Sequence, residues 1–149
     1  MAQLLMFLCF LCAFSQVLPI DIDETHYTIE DYICFNRTGI DKSYMDSHVT
    51  ADFVLTTGDE KLNKFMACWV VEMKLVDDEL QFSHSAWEKY ATHNLFKFIG
   101  KSDYPNKEEL AKKFVNDCKT IESGSDLGNS AILMLNCMLV PFLELMRTG

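Results

Sequence analysis

From Asp59 to Leu80 the chain reads DEKLNKFMACWVVEMKLVDDEL. Leu62, Phe65, Met66, Trp69, Val70 and Met73 recur at the spacing of one face of an α-helix. Glu60, Lys61, Lys64, Glu72 and Lys74 fall on the other side, and Cys68 flanks the apolar face. So wide an apolar face must be buried against other elements. A cysteine on its flank lets the helix be stitched to another part of the chain. The rest of the protein is expected to be organised around this helix, with Asp59 as its N-cap.

The first stretch, MAQLLMFLCFLCAFSQ, differs from the remainder. It is uncharged and apolar from Leu4 to Phe14, and Ala13 and Ser15 form a small-x-small signal before Gln16. A dozen or so apolar residues are too few for the roughly 20 that span a bilayer. Residues 1–15 therefore read as a secretory signal peptide, and residues 16–149 as one domain large enough for a real core. The formal net charge of −9 argues against nucleic acid, which requires a basic stripe, and against anionic membrane surfaces.

Beyond the leader remain Cys34, Cys68, Cys118 and Cys137. An even number in a secreted chain reads as two disulfides, with three possible pairings. A zinc site is disfavoured, since no Cys-x-x-Cys pair occurs and the histidines do not cluster with the cysteines.

The other segments are also helical. Asp23 to Arg37 reads as a short helix ending at Gly39, with Ile29, Tyr32 and Ile33 as its apolar side. Ser43 to Phe53 reads as a second. Asp77-Asp78-Glu79 is a solvated acidic loop, after which Ser83 or Ser85 opens a helix that Gly100 stops. Asn106 and Glu109 have the spacing of a capping box for a fifth helix, whose stripe is Leu110, Ala111, Phe114, Val115, Cys118 and Ile121. AILMLNCMLV is apolar nearly all round and reads as a buried helix, which Pro141 should end or kink at Val140. The tail PFLELMRTG then has to fold back on something. A membrane span is disfavoured there by the shortness of the run and by Asn136, Pro141 and Glu144. No strand alternation appears, so the fold class is all-α, a compact bundle of about six helices.

Catalysis is not expected, and neither is a cofactor. His26, His48, His84 and His93 are scattered, and no HExxH, GxSxG or glycine-rich phosphate loop occurs. Aromatic and methionine side chains, however, exceed what so small a core requires, and methionine suits sites that accept apolar ligands of different shapes.

Along essentially its whole length the mature chain resembles the insect odorant-binding proteins of the pheromone-binding and general odorant-binding type. The likeness rests on the signal peptide, the small acidic helical body, the cysteine spacing, FNRTGIDKSYMDSHVTADFVL before the central helix and VDDELQFS after it. That family has six cysteines. Taking the four here as the first, third, fourth and sixth puts the missing two at Lys64 and Gly128, as in the four-cysteine "minus-C" subgroup. The forty-nine residues between Cys68 and Cys118 are more than is usual. The resemblance implies Cys34–Cys68 and Cys118–Cys137 bridges, and Lys64, freed from a bridge, a looser bundle with a more adaptable cavity.

The resemblance also implies a secreted carrier that reversibly binds small hydrophobic ligands, odorants or pheromones, in an apolar cavity. It assigns Met66, Trp69, Met73, Trp87, Tyr90, Phe114, Met134, Met138 and Phe142 to the lining, with Tyr90 or Asn136 available to select a hydroxyl or carbonyl. The expected partners are that ligand and an odorant receptor, without nucleic acid or stable membrane insertion, and the expected state is a monomer or weak homodimer. A different class of reading is an interaction protein of saliva, venom or reproductive fluid that offers the same groove to a protein or lipid. A secreted hydrolase is a third, with no active site to name. Asn36-Arg37-Thr38 is a glycosylation sequon whose place beside Cys34 at a helix end disfavours occupancy.

Overall fold

A computed structural model describes residues 22–121 and 124–148; the expected signal peptide lies outside these. Six helices follow in order: α1 (Ile29–Thr38), α2 (Lys42–Ser47), α3 (Glu60–Glu72), α4 (His84–Tyr90), α5 (Lys107–Asp117) and α6 (Leu127–Arg147). A π-helical turn (Ala91–Leu95) and a last α-turn (Phe96–Phe98) prolong α4. The described residues contain no β-strand, only the isolated bridges Val49–Leu55 and Val76–Phe82. The all-α bundle is what the sequence led us to expect.

The central helix α3 begins where its sequence says it should, with Asp59 Oδ1 accepting the Leu62 N–H at 2.7 Å. Its buried face is Leu62, Phe65, Met66, Trp69 and Val70. Against this face packs α6, in the most extensive helix contact of the molecule, and α1 packs beside it. The Cys34–Cys68 bridge ties α1 to α3, and Cys118–Cys137 ties the end of α5 to α6.

Where the absent bridge would have stood, α3 and α6 are in close contact. Lys64 pairs with Glu60 at 2.7 Å on the exposed side of its own helix. A Cβ on Gly128 would lie 1.8 Å from the Asn63 carbonyl oxygen, so the two helices approach more closely than any side chain there permits. The backbones fill the space that a bridge would have spanned.

Several element boundaries depart from the sequence reading. Asp23 caps a separate 3-10 turn (Glu24–His26), and α1 starts only at Ile29. Ile29 and Tyr32 are 72% and 52% exposed, and Ile33 is exposed too, because the bridge turns the Cys34–Phe35 side toward α3. The second helix stops at Ser47: the chain reverses through Phe53, at φ +57°, so that Val49 can pair with Leu55. Asn106 does precede α5, but in the left-handed region at φ +57° and without a side-chain cap, so the Asn106–Glu109 box does not form. Ile121 lies beyond α5 in a 3-10 turn and is exposed.

The largest correction concerns Pro141. It lies inside α6, which runs on unbroken to Arg147, and the tail continues the helix instead of folding back. Proline removes one intrahelical hydrogen bond; burial of Phe142 and Leu143 beyond it holds the helical path. With 21 residues and a mean hydropathy of 1.5, α6 is long and apolar enough to cross a membrane, so shortness is no argument against a span. In this fold it is the core helix, with Ala131, Ile132, Met134, Met138 and Phe142 fully enclosed.

Gly128→Ala should destabilise the protein by about 2 kcal/mol or more, because the obstructing atoms are backbone. Denaturant unfolding of oxidised wild type and variant checks this. Replacing both Cys118 and Cys137 by serine should cost roughly 3 kcal/mol, from the loop that the bridge closes.

Candidate functional site

A cavity of about 200 Å³ opens between the N-terminal segment and α1, α2, α3, α4 and α6. Phe65, Met66, Trp69 and Met73 of α3 form one wall. Tyr90, Asn94, Leu95 and Phe98 of the α4 rod form another, with Leu135 and Leu139 of α6 and Met45, Phe53 and Leu55 closing the apolar sides. Thr25, His26, Tyr27, Thr28 and Asp31 bring most of the polar atoms, and exposed Lys97 adds another.

The N-terminal segment is held over this space by ring contacts of His26 with Phe98 and Tyr27 with Phe35 and by one carboxylate. Asp46, buried at the end of α2, accepts hydrogen bonds from the Ile22 N–H (3.4 Å) and the Tyr27 hydroxyl (3.3 Å), and its other oxygen pairs with Lys42 at 2.7 Å. Burial, and then the Asp46 charge, push the Tyr27 phenol far above the usual range, so it stays a donor.

The expected lining residues fall into two groups. Met66, Trp69, Met73 and Tyr90 meet around the cavity. Trp87, Phe114, Met134, Met138 and Phe142 lie outside its walls, in the packed core. Phe142 is edge-on to both Phe114 and Phe96, at 5.1 and 4.9 Å, which makes an aromatic cluster of the core. Trp87 sits behind Trp69 and Tyr90, its indole N–H buried without a partner. Asn136 is not available to a ligand, because its side-chain amide accepts from the Leu55 N–H (2.9 Å) and donates to the Leu55 carbonyl (2.8 Å). Asn36 is exposed on the last turn of α1, where Thr38 Oγ1 donates to the Cys34 carbonyl.

The π-turn explains how one rod serves both core and cavity. It widens the helix by a residue, so Trp87, Ala91 and Phe96 pack in the core while Tyr90, Asn94, Leu95 and Phe98 reach the cavity. Sequence reasoning missed Asp31, although Thr28 and Asp31 have a capping-box spacing. The Thr28 N–H donates to Asp31 Oδ2 at 2.6 Å and the Thr28 hydroxyl to the same oxygen at 3.0 Å. Burial raises the Asp31 pKa, opposed by these bonds and by one from the Trp69 side chain. Burial also raises the Tyr90 phenol well out of its ordinary range, with a contribution from the Asp31 charge.

The described residues form a disulfide-stapled helical shell around a mostly apolar cavity. The PBP/GOBP family profile matches residues 29–140, and the chain belongs to that family, the pheromone-binding and general odorant-binding proteins of insects. It is a family of secreted binding proteins for small hydrophobic ligands, not of enzymes. No curated protein and no solved structure matches the chain.

With its pKa raised by folding, Asp31 is protonated more readily in the native than in the unfolded state. Its contribution to stability is therefore greatest below the ordinary carboxylate value and is lost as pH rises through the raised one. Asp31→Asn, which keeps an acceptor for Thr28, should gain stability relative to wild type as pH rises from about 3.8. Parallel denaturant unfolding of the two proteins between pH 3 and 8 gives the comparison.

Proposed function

We propose that this protein is a secreted carrier, cleaved after residue 15, that takes up small hydrophobic molecules such as odorants or pheromones and releases them after transit through aqueous fluid. Binding is reversible, needs no cofactor and is carried out by a monomer or weak homodimer that meets an odorant receptor. The observation that carries the reading is the apolar cavity of about 200 Å³ within a bridged helical body. Each 100 Å² of apolar ligand surface removed from water contributes roughly 2.5 kcal/mol. Such burial supports useful affinity with few polar contacts.

The exposed Ile29, Tyr32 and Ile33 on α1 favour a second reading, in which the protein meets a protein or lipid partner in saliva, venom or reproductive fluid.

The two tryptophans make the test specific. Trp69 lines the cavity and Trp87 lies behind it in the core. An apolar ligand that occupies the cavity should change the intrinsic fluorescence saturably, and Trp69→Phe should remove most of that change. Displacement of a neutral naphthalene-based fluorophore by volatile alcohols, esters and acids then gives the ligand class. No binding by folded, fully oxidised protein would favour the partner reading.

A further inference from the structure

The cavity is apolar on most sides but holds one half-buried acidic group, Asp31. The capping role accounts for Asp31 Oδ2, which takes both Thr28 donors. The carboxylate thus has two protein donors, both from Thr28, for about four acceptor positions, with Trp69 beside it. Among the described residues no Lys, Arg or His pairs with it. The charged groups facing the cavity besides Asp31 are Lys97 and, when protonated, His26, and both side chains lie exposed to solvent. Nearby, Tyr90 stands edge-on to Trp69 at 5.4 Å, and its hydroxyl has no partner among the described residues. A half-buried carboxylate without a counter-ion, on the same cavity wall as the rings of Trp69 and Tyr90, is an environment that receives an organic cation.

We infer that the cavity prefers a primary ammonium compound with a short aromatic or aliphatic body, its head on Asp31 and Tyr90 and its body against Trp69, Met66 and Leu139. This rests on the carrier reading and specifies its ligand class. The size of the cavity fits. A cavity of about 150 Å³ holds benzene, so about 200 Å³ admits a ring with a short side chain. The net charge of −9 draws cations toward the protein and repels carboxylates.

The test uses the oxidised mature protein and three ligands that share one skeleton: phenethylamine, phenethyl alcohol and phenylacetic acid. Each displaces the neutral naphthalene-based fluorophore at pH 7. The amine should bind roughly tenfold more tightly than the alcohol, as a charge-assisted hydrogen bond exceeds a neutral one, and the acid most weakly. Asp31→Asn, which preserves an acceptor for Thr28, should bring amine and alcohol within about twofold of each other. Tyr90→Phe should weaken the amine several-fold, and circular dichroism establishes that both variants fold. Equal affinity for amine and alcohol in the wild type, or an amine preference that survives Asp31→Asn, overturns the inference. So does tightest binding of the acid, which Lys97→Gln would then trace to the exposed lysine. If the fluorophore itself never binds, it is the carrier reading that fails.

Discussion

The crossing of α3 and α6 is the constraint on which the rest of the structure depends. Gly128 has no side chain, and the Asn63 carbonyl occupies the space a Cβ would need. The axes are thereby brought close enough for Leu62, Phe65 and Val70 to pack into the same interior as Ile132, Met134 and Met138. Asp126 reinforces the contact from the α6 side, its carboxylate capping Asn129 at 2.8 Å and accepting from Asn63 at 3.3 Å. The other helices are arranged about this pair: α1 by a bridge to α3, and α5 by a bridge to α6.

A bundle held this way can leave space on one side. The buried volume between α3 and α6 is filled, and the opening lies toward the N-terminal segment, where Ile22 and Tyr27 are tied down by Asp46. The cavity is thus bounded by elements of unequal firmness: a bridged, densely packed helix pair on one side, and a strip anchored by a few hydrogen bonds on the other. Local opening is expected of the second kind of element.

Much of the fold could be read from the residues because its signals are local. Asp59 before a six-position apolar stripe specifies α3, Gly39 specifies the end of α1, and Ser83 opens α4. The lining of the cavity was only half legible, for a physical reason. α6 is apolar nearly all round, so Met134 and Met138 are no better marked as core than Leu135 and Leu139 are marked as wall. Only the crossing with α3 decides which stripe faces which way. Likewise the π-turn shifts the α4 rod's register by a residue, and no local pattern announces it. Asp31 passed unnoticed because a polar residue near a helix start has an ordinary use, and its second oxygen acquires meaning only once Trp69 and Tyr90 are in place.

Pro141 has a consequence that reaches beyond the shape of α6. By lacking an N–H it leaves the carbonyl four residues earlier, that of Cys137, without its intrahelical donor. Cys137 is also the residue held by sulfur to Cys118. The backbone ladder thus misses a rung at the residue where a covalent strut braces the helix from α5. The strut and the gap together divide α6 into a clamped portion, from Leu127 to Cys137, and a remainder held by burial of Met138, Leu139, Phe142 and Leu143 and by the Arg147–Asp52 pair at 3.1 Å. Chemical reduction would remove the brace at the residue where the ladder is interrupted, and leave the turns beyond it to be held by side-chain burial and a surface ion pair.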